Sequence, residues 1–288
     1  ALCIAQGVPS ALYPTYTLGS PTVAGQDGSN PNLTPEKATT YSFGAVLTPR
    51  ISSPWFDRLQ ISVDYYNIQL KDAIGTLQLT DILPRCFNSD GVSNPSYSLN
   101  NPFCDRITRN TTTGEISLGR QGLFNFATFT VSGIDAQINW RIAMEAFGLS
   151  ADAGSLTINN TTSYLRQYKV AGLLGSPTFN YAGTAGFGGV GGGISHPRWK
   201  TNTSLTYENG PFSGTFTWRH ISRQIHSDLL SNPASTTPSI GAYNYLDLNA
   251  QFTIAERFTL GFGVSNLTDK TPPFISAAPL TTDAATYD

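Results

Sequence analysis

The chain has 288 residues, a formal net charge of -2 and only 12% charged residues, about half the charged share of an ordinary soluble domain. It has no basic run interleaved with aromatics, which excludes a nucleic-acid groove. It also has no apolar run near the roughly 18 residues of a membrane helix. Short, half-apolar membrane strands stay open.

In chain order, residues 1–38 read as loop, because Pro9, Pro14, Pro21, Gly25, Gly28, Pro31 and Pro35 break any long regular element. Residues 1–7 lack the basic start and apolar core of a signal peptide, so the sequence reads as entered in its middle. A first strand is expected over Tyr41 to Leu47, then a short turn from Pro49 to Asp57. A second strand puts Leu59, Ile61, Val63 and Tyr65 on one face. It then changes phase to Tyr66, Ile68 and Leu70, which predicts a β-bulge at Tyr65-Tyr66. A long connector follows over about 75–123.

The third strand, near 126–142, carries the clearest pattern. From Ile134 to Ile142 every even residue is apolar and every odd one polar, so one face of the strand is wholly apolar. The connector 143–154 is short, with room for one helical turn from Ala143 to Gly148. A fourth strand (about 155–168) bears Leu156, Ile158 and Tyr164 on one face, and a long Gly-rich connector runs over about 170–196. The fifth and sixth strands carry Trp199, Leu205 and Tyr207, then Phe212, Phe216 and Trp218. Asn209-Gly210 is the expected hairpin turn between them. After a connector at about 224–241, the seventh strand has Leu246, Leu248, Ala250, Phe252 and Ile254 on one face. A tight turn at Ala255-Glu256-Arg257 leads to the eighth, with Phe258, Leu260, Phe262 and Val264.

Long and short connectors therefore alternate, which places all long loops at one end of a sheet. Several strands run well beyond the usual 5–6 residues, and Tyr41, Trp55, Trp140, Tyr164, Trp199, Tyr207, Trp218 and Tyr243 cluster towards strand ends. Together these predict an all-β fold: an antiparallel up-and-down transmembrane barrel segment of about eight strands, with long extracellular loops and short periplasmic turns.

Cys86 and Cys104 share one polar loop and are the expected disulfide pair. Cys3 is left over, either free or bonded outside this sequence. No catalytic, cofactor or metal residues are assigned. His196, His220 and His226 border loops at one end and read as solvated. Gly183 to Gly193 lacks the helix and Lys of a phosphate loop. The polar face bears Asp64, Asp135, Arg141, Lys200, Glu208, Arg219 and Asp247, expected to be a water-facing wall.

Three motifs in register carry a resemblance. Asn30-Pro31-Asn32-Leu33-Thr34-Pro35-Glu36 followed by Tyr41-Ser42-Phe43-Gly44, then Ser132-Gly133-Ile134-Asp135, then Asn266-Leu267-Thr268-Asp269-Lys270 resemble signatures of the TonB-dependent outer-membrane receptors. The resemblance covers nearly the whole chain. It implies a barrel of about 22 strands around a plug, of which these eight are the fourteenth to twenty-first. Residues 1–38 are then an extracellular loop segment, and 39–288 the C-terminal portion of the barrel without its final strand. The implied function is energised uptake of an iron chelate, vitamin or oligosaccharide, with no enzymatic step and no cofactor. The implied partners are the plug and remaining strands of the same receptor, the TonB complex indirectly, the nutrient through the extracellular loops, and outer-membrane lipid. A secreted β-sandwich carbohydrate-binding module and, further off, a hydrolase remain as alternatives.

Overall fold

The structure is a computed structural model that describes residues 2–17, 23–49, 51–56, 58–173, 176–186, 195–276 and 284–286. Asp57, residues 187–194 of the Gly-rich connector and the terminal Tyr287-Asp288 lie outside them. Eight long strands are β1 (Lys37–Leu47), β2 (Leu59–Leu77), β3 (Ile116–Ala143), β4 (Ser155–Ala171), β5 (Trp199–Asn209), β6 (Phe212–Ile221), β7 (Tyr243–Ile254) and β8 (Phe258–Val264). Each lies beside its neighbours in sequence, from β1 to β8. The pairs β4–β5, β5–β6, β6–β7 and β7–β8 are antiparallel. This is the expected up-and-down meander.

Strand lengths depart from the sequence reading. β2 runs on to Leu77, and β3 begins at Ile116, ten residues before the expected 126. The connector between them is therefore shorter than expected. It also has structure of its own, a helix over Leu79–Cys86 and a short strand over Ile107–Arg109. The reason is pairing. Gly25–Gly28 aligns in parallel with Gly119–Gly122 of β3, and Ile107–Arg109 pairs antiparallel with the start of β3. These partners satisfy backbone groups that a loop would leave to water. In β2 Asp72 has a left-handed backbone, φ 55°, a conformation that aspartate tolerates.

The tight turns are close to expectation. The β5–β6 loop is centred one residue later than Asn209-Gly210, because Asn209 pairs with Phe212 and leaves Gly210 and Pro211 as the loop. Gly210 takes φ 51°, and Pro211 supplies the fixed negative φ that follows in a type II′ turn. Between Ile254 and Phe258, paired across β7–β8, Ala255 and Glu256 are both left-handed. The connector 143–154 holds two short 3-10 turns, Met144–Phe147 and Ala151–Ala153.

The chain divides into two compact units. One comprises Ala1–Ala38, Leu70–Phe129 and Val170–Thr178. It holds a small apolar core of Leu2, Leu77, Ile82, Cys86, Cys104 and Ile107, with Leu79, Phe103 and Phe124 packed on it. Cys86 and Cys104 form the expected disulfide. The buried Asn94 side chain organises the loop between them. Its Nδ2 donates to the Cys86 and Ser98 carbonyls, and its Oδ1 accepts from Ser98 N. Nearby, the Ser93 hydroxyl and the amides of Ser93 and Val92 donate to Asp90, and these bonds hold its carboxyl down at about 2. The first of the three motifs is also anchored in this unit. Asn30 Nδ2 donates to Leu123 O, Thr34 and Asn125 exchange a pair of bonds, and Glu36 accepts from Ile74 N.

The other unit comprises Thr39–Gln69, Thr130–Lys169 and Phe179–Asp288 and is mostly strand. Its apolar face is open: Phe43 and Phe262 are each 70% exposed, and Phe258 68%. Cross-strand register aligns these residues into bands, such as Ile158–Leu205–Phe216–Leu248–Val264. In water, a contiguous apolar face of this extent would demand a partner. Gly133, in the second motif, allows two strands to close up. A Cβ there would stand 2.4 Å from Tyr66 Oη and 2.5 Å from the Tyr164 carbonyl oxygen.

Candidate functional site

The face opposite the apolar bands carries the alternate residues, and two of the larger hollows of the described wall lie there. The first, about 540 Å³, is lined by Lys200, Asn202, Arg219, Tyr245, Asn266 and Lys270, among others. Strand alternation puts Lys200 and Asn202 of β5 on the same side as Arg219 of β6 and Tyr245 of β7, and register brings Asn202 opposite Arg219 and Arg219 opposite Tyr245. Arg219 is held from two directions. Its Nε and Nη2 donate to the two carboxylate oxygens of Asp247, at 3.1 and 3.4 Å, and its guanidinium stacks on Tyr245 with Cζ 5.2 Å from the ring centre.

The third motif forms the rim of this hollow. Asn266 and Asp269 are left-handed, at φ 53° and 48°. Asn266 N donates to Asp247 Oδ1, its Nδ2 donates to Lys270 O, and its Oδ1 accepts from Lys270 N. That turn fixes the start of the Lys270 side chain, whose Nζ lies 5.0 Å from the Tyr243 ring centre. The hollow is thus lined by three cationic residues and Tyr245, with Lys270 also near Tyr243 and Arg219 already paired with Asp247. Such a surface attracts an anion that offers aromatic or oxygen-rich edges.

The second hollow, about 720 Å³, lies by the tight turns and is lined by Arg58, Arg141, Glu145, Glu208, Gln251 and Thr253, among others. Arg141 Nη2 and Glu208 Oε2 are 3.6 Å apart. It is mixed in charge and highly polar.

The polar residues singled out in the sequence are therefore divided. Lys200 and Arg219 line the first hollow, with Asp247 bonded to Arg219, and Arg141 and Glu208 line the second. Asp64 lies over Gly44, and Asp135 lies near enough to Tyr66 to act on it electrostatically. Sequence reasoning missed Lys270, Asn266 and Tyr245 as members of a site. The third motif names Asn266 and Lys270, but only the structure shows that they share a hollow with Arg219 and that Asn266 and Arg219 share Asp247.

The histidines do not converge. His220 sits on the apolar-band side, bonded to Asn244. His196 stacks on Tyr168 at 4.2 Å. His226 is only 2% exposed and lies 3.4 Å from Asp228. The expectation of solvated loop histidines fails for His226, because the residues around it pair in a three-stranded sheet with Thr184–Ala185 and Ser195–His196. Among the described residues no group of His, Cys, Asp and Glu is arranged to hold a metal ion.

Residues 6–267 match the family described as TonB dependent receptor-like, beta-barrel. The chain belongs to that family. TonB-dependent receptor barrels are bacterial outer-membrane proteins, with short turns to the periplasm and long loops outside. The ferric enterobactin receptor of Pseudomonas aeruginosa in complex with BCV-L6 is similar over 92% of this chain and 29% of its own length, with 14% identity and a TM-score of 0.53. The FrpB iron transporter of Neisseria meningitidis is similar over 88% of this chain and 29% of its own, with 10% identity and a TM-score of 0.50. At these identities the likeness concerns the fold. The chain spans less than a third of the length of either protein. No curated protein matches it. For this TonB-dependent receptor barrel, the open apolar face is the lipid-facing side and the two hollows lie on the lumen side of the wall.

Proposed function

We propose that this wall belongs to a receptor that takes up a scarce anionic nutrient complex, an iron chelate before a vitamin or an oligosaccharide. The observation that carries this is the lumen-side hollow lined by Lys200, Arg219, Lys270 and Tyr245, where Arg219 lies on Tyr245, Lys270 lies near Tyr243, and Arg219 is paired with Asp247. A neutral sugar would call for amides and flat aromatic platforms without an excess of cations. The relatives support the same class, one being a ferric enterobactin receptor and another an iron transporter. No catalytic step enters this reading. Residues 1–38 and the long connectors are extracellular, and residues 39–288 supply part of the barrel. The plug and further strands of the same receptor complete the machine, with the mixed-charge hollow at Arg141 and Glu208 as a plug-facing wall. The TonB complex, pulling on the plug, supplies the energy.

The test is uptake of a radiolabelled ferric chelate by iron-starved cells carrying the receptor with Lys200→Glu and Lys270→Glu together. Each charge-assisted contact is worth about tenfold in affinity, so uptake at limiting chelate falls by about a hundredfold while the protein's amount in the outer membrane is unchanged. Uptake that survives both reversals would overturn the reading. So would preferential uptake of a neutral oligosaccharide. The β-sandwich alternative requires the exposed bands around Phe43, Phe258 and Phe262 to stay wet, and it loses on that ground.

A further inference from the structure

The unit that holds the disulfide contains a small hollow of its own, about 130 Å³, lined by Gly28, Ser29, Arg106, Arg120, Gly122 and Phe124, among others. Local sequence explains why it exists. Arg120, Gly122 and Phe124 alternate along β3, so their side-chain positions share one face. Gly28 pairs with Gly122 across the parallel bridge. The middle of that face therefore has no side chain on either strand, and a gap is left between Arg120 and Phe124. Gly122 cannot be filled, since a Cβ there would stand 2.6 Å from Gly28 O. Asp27 pairs with Gln121, one residue out of step, and so belongs to the opposite face.

The walls of this hollow are cationic. The Arg106 guanidinium lies over the Phe124 ring, with Cζ 3.8 Å from its centre. Arg106 ends the 3-10 turn Cys104–Arg106, which the disulfide anchors. Burial lowers its pKa from the ordinary arginine value, with Asp105 acting in the opposite sense. Arg120 Nη1 donates to Thr108 Oγ1 at 3.4 Å. Among the described residues neither arginine forms an ion pair with a carboxylate. The Asn30 side chain on the rim is already committed, donating to Leu123 O and accepting from Asn32 N. The Ser29 hydroxyl beside it has no described partner. Partly desolvated guanidiniums without a counter-charge cost free energy that a bound anion would offset.

We propose that this hollow binds one compact inorganic oxyanion of the phosphate class. Three observations select that occupant. The space of about 130 Å³ admits a single tetrahedral ion and excludes a whole chelate. The lining has two cations and no carboxylate. The two guanidiniums come from different elements, one from the turn after Cys104 and one from β3. An ion with oxygens in several directions engages both, whereas a flat carboxylate fills the fork of one. Bound there, the ion ties residues 28–30 to β3 and to the disulfide turn. It braces the unit alongside the Cys86–Cys104 bridge and the Asn94 amide. None of its residues belongs to the nutrient hollow, so the two sites stand or fall separately.

The experiment is calorimetric titration of inorganic phosphate into the intact receptor in detergent at constant ionic strength. Acetate and chloride serve as comparison anions, and hydrogen exchange over residues 25–30 and 104–109 is the second readout. Arg106→Gln and Arg120→Gln each remove one charge. Gly28→Val keeps both charges and fills the gap. The nearest atom to a Cβ at Gly28 is Gln121 O at 3.9 Å, so the strand accommodates it. Retention of the β circular dichroism spectrum checks folding for each variant. The expected result is saturable phosphate binding that slows exchange in both segments. Each folded variant binds phosphate about tenfold more weakly, the effect of losing one charge-assisted contact. Lys200→Glu with Lys270→Glu leaves phosphate binding unchanged. No saturable binding by the parent protein, equal binding of all three anions, or full affinity in the folded variants would overturn the proposal. So would displacement of phosphate by the ferric chelate, which would make the hollow a part of nutrient capture.

Discussion

The two compact units of this chain treat apolar residues in opposite ways. In the unit containing the disulfide, Ile82 and Cys86 are fully buried, and Leu77 nearly so. In the unit containing the strand meander, Phe43 and Phe262 are mostly exposed. What differs is the solvent each must satisfy. The first unit faces water and buries a core, with a cross-link and a buried amide to hold it. The second has lipid on one side, so its apolar residues need only align in bands, and its stability rests on backbone pairing.

The sharpest way to break this contrast is Ile82→Ala. A fully buried isoleucine loses about 2–5 kcal/mol on truncation, and hydrogen exchange should rise over 77–109 with little change over β5–β8. Equal loosening of both units would show that they share one core. Cys86→Ser with Cys104→Ser comes next. Opening the bridge costs about 3 kcal/mol in the chain-entropy model, read as faster proteolysis between the two positions. From the other side, Phe262→Arg places a charge on the apolar face, which costs about 2–4 kcal/mol at mid-bilayer. It should reduce folding yield into lipid vesicles, whereas Phe262→Leu should not. If the arginine variant folds as well as the parent, that face is not in lipid.

Gly133→Ala tests close strand approach within the wall. The added methyl meets Tyr66 Oη and the Tyr164 carbonyl oxygen, and overpacking of this kind costs about 1–3 kcal/mol. Pairing with Tyr66→Phe should recover part of the loss, measured as the urea midpoint in lipid. The smallest effect concerns Asp90. Its folded pKa is depressed to about 2 from 3.8, so its contribution is complete above the unfolded value and is lost as pH falls through about 2. The carboxyl is exposed, so the global effect is small. The chemical shift of Asp90 should titrate near the lower value, and Ser93→Ala should move it upward.

Much of the wall was legible in the sequence because period-2 alternation is local. The even residues from Ile134 to Ile142, and those from Leu246 to Ile254, name their face without any knowledge of partners. The disulfide was legible from shared loop context. The early start of β3 was not, because Gly25–Gly28 pairs with it across more than ninety residues, and Ile107–Arg109 folds back on it from a stretch with no alternating pattern. The burial of His226 escaped for the same reason, since its sheet partners are Thr184–Ala185. Lys270 and Arg219 likewise meet through strand register and a turn at Asn266, which no local pattern reports.

The Cys86–Cys104 bridge has a consequence for biogenesis. It closes a segment local in sequence, in a protein that crosses the oxidising periplasm on its way to the outer membrane. It therefore needs no strand pairing in order to form. A chain reaching the membrane with this loop already oxidised delivers a compact knot for export to the far side. A chain arriving reduced delivers an extended one. Cells with an impaired periplasmic oxidant should thus show their defect in the timing of assembly before any defect in transport.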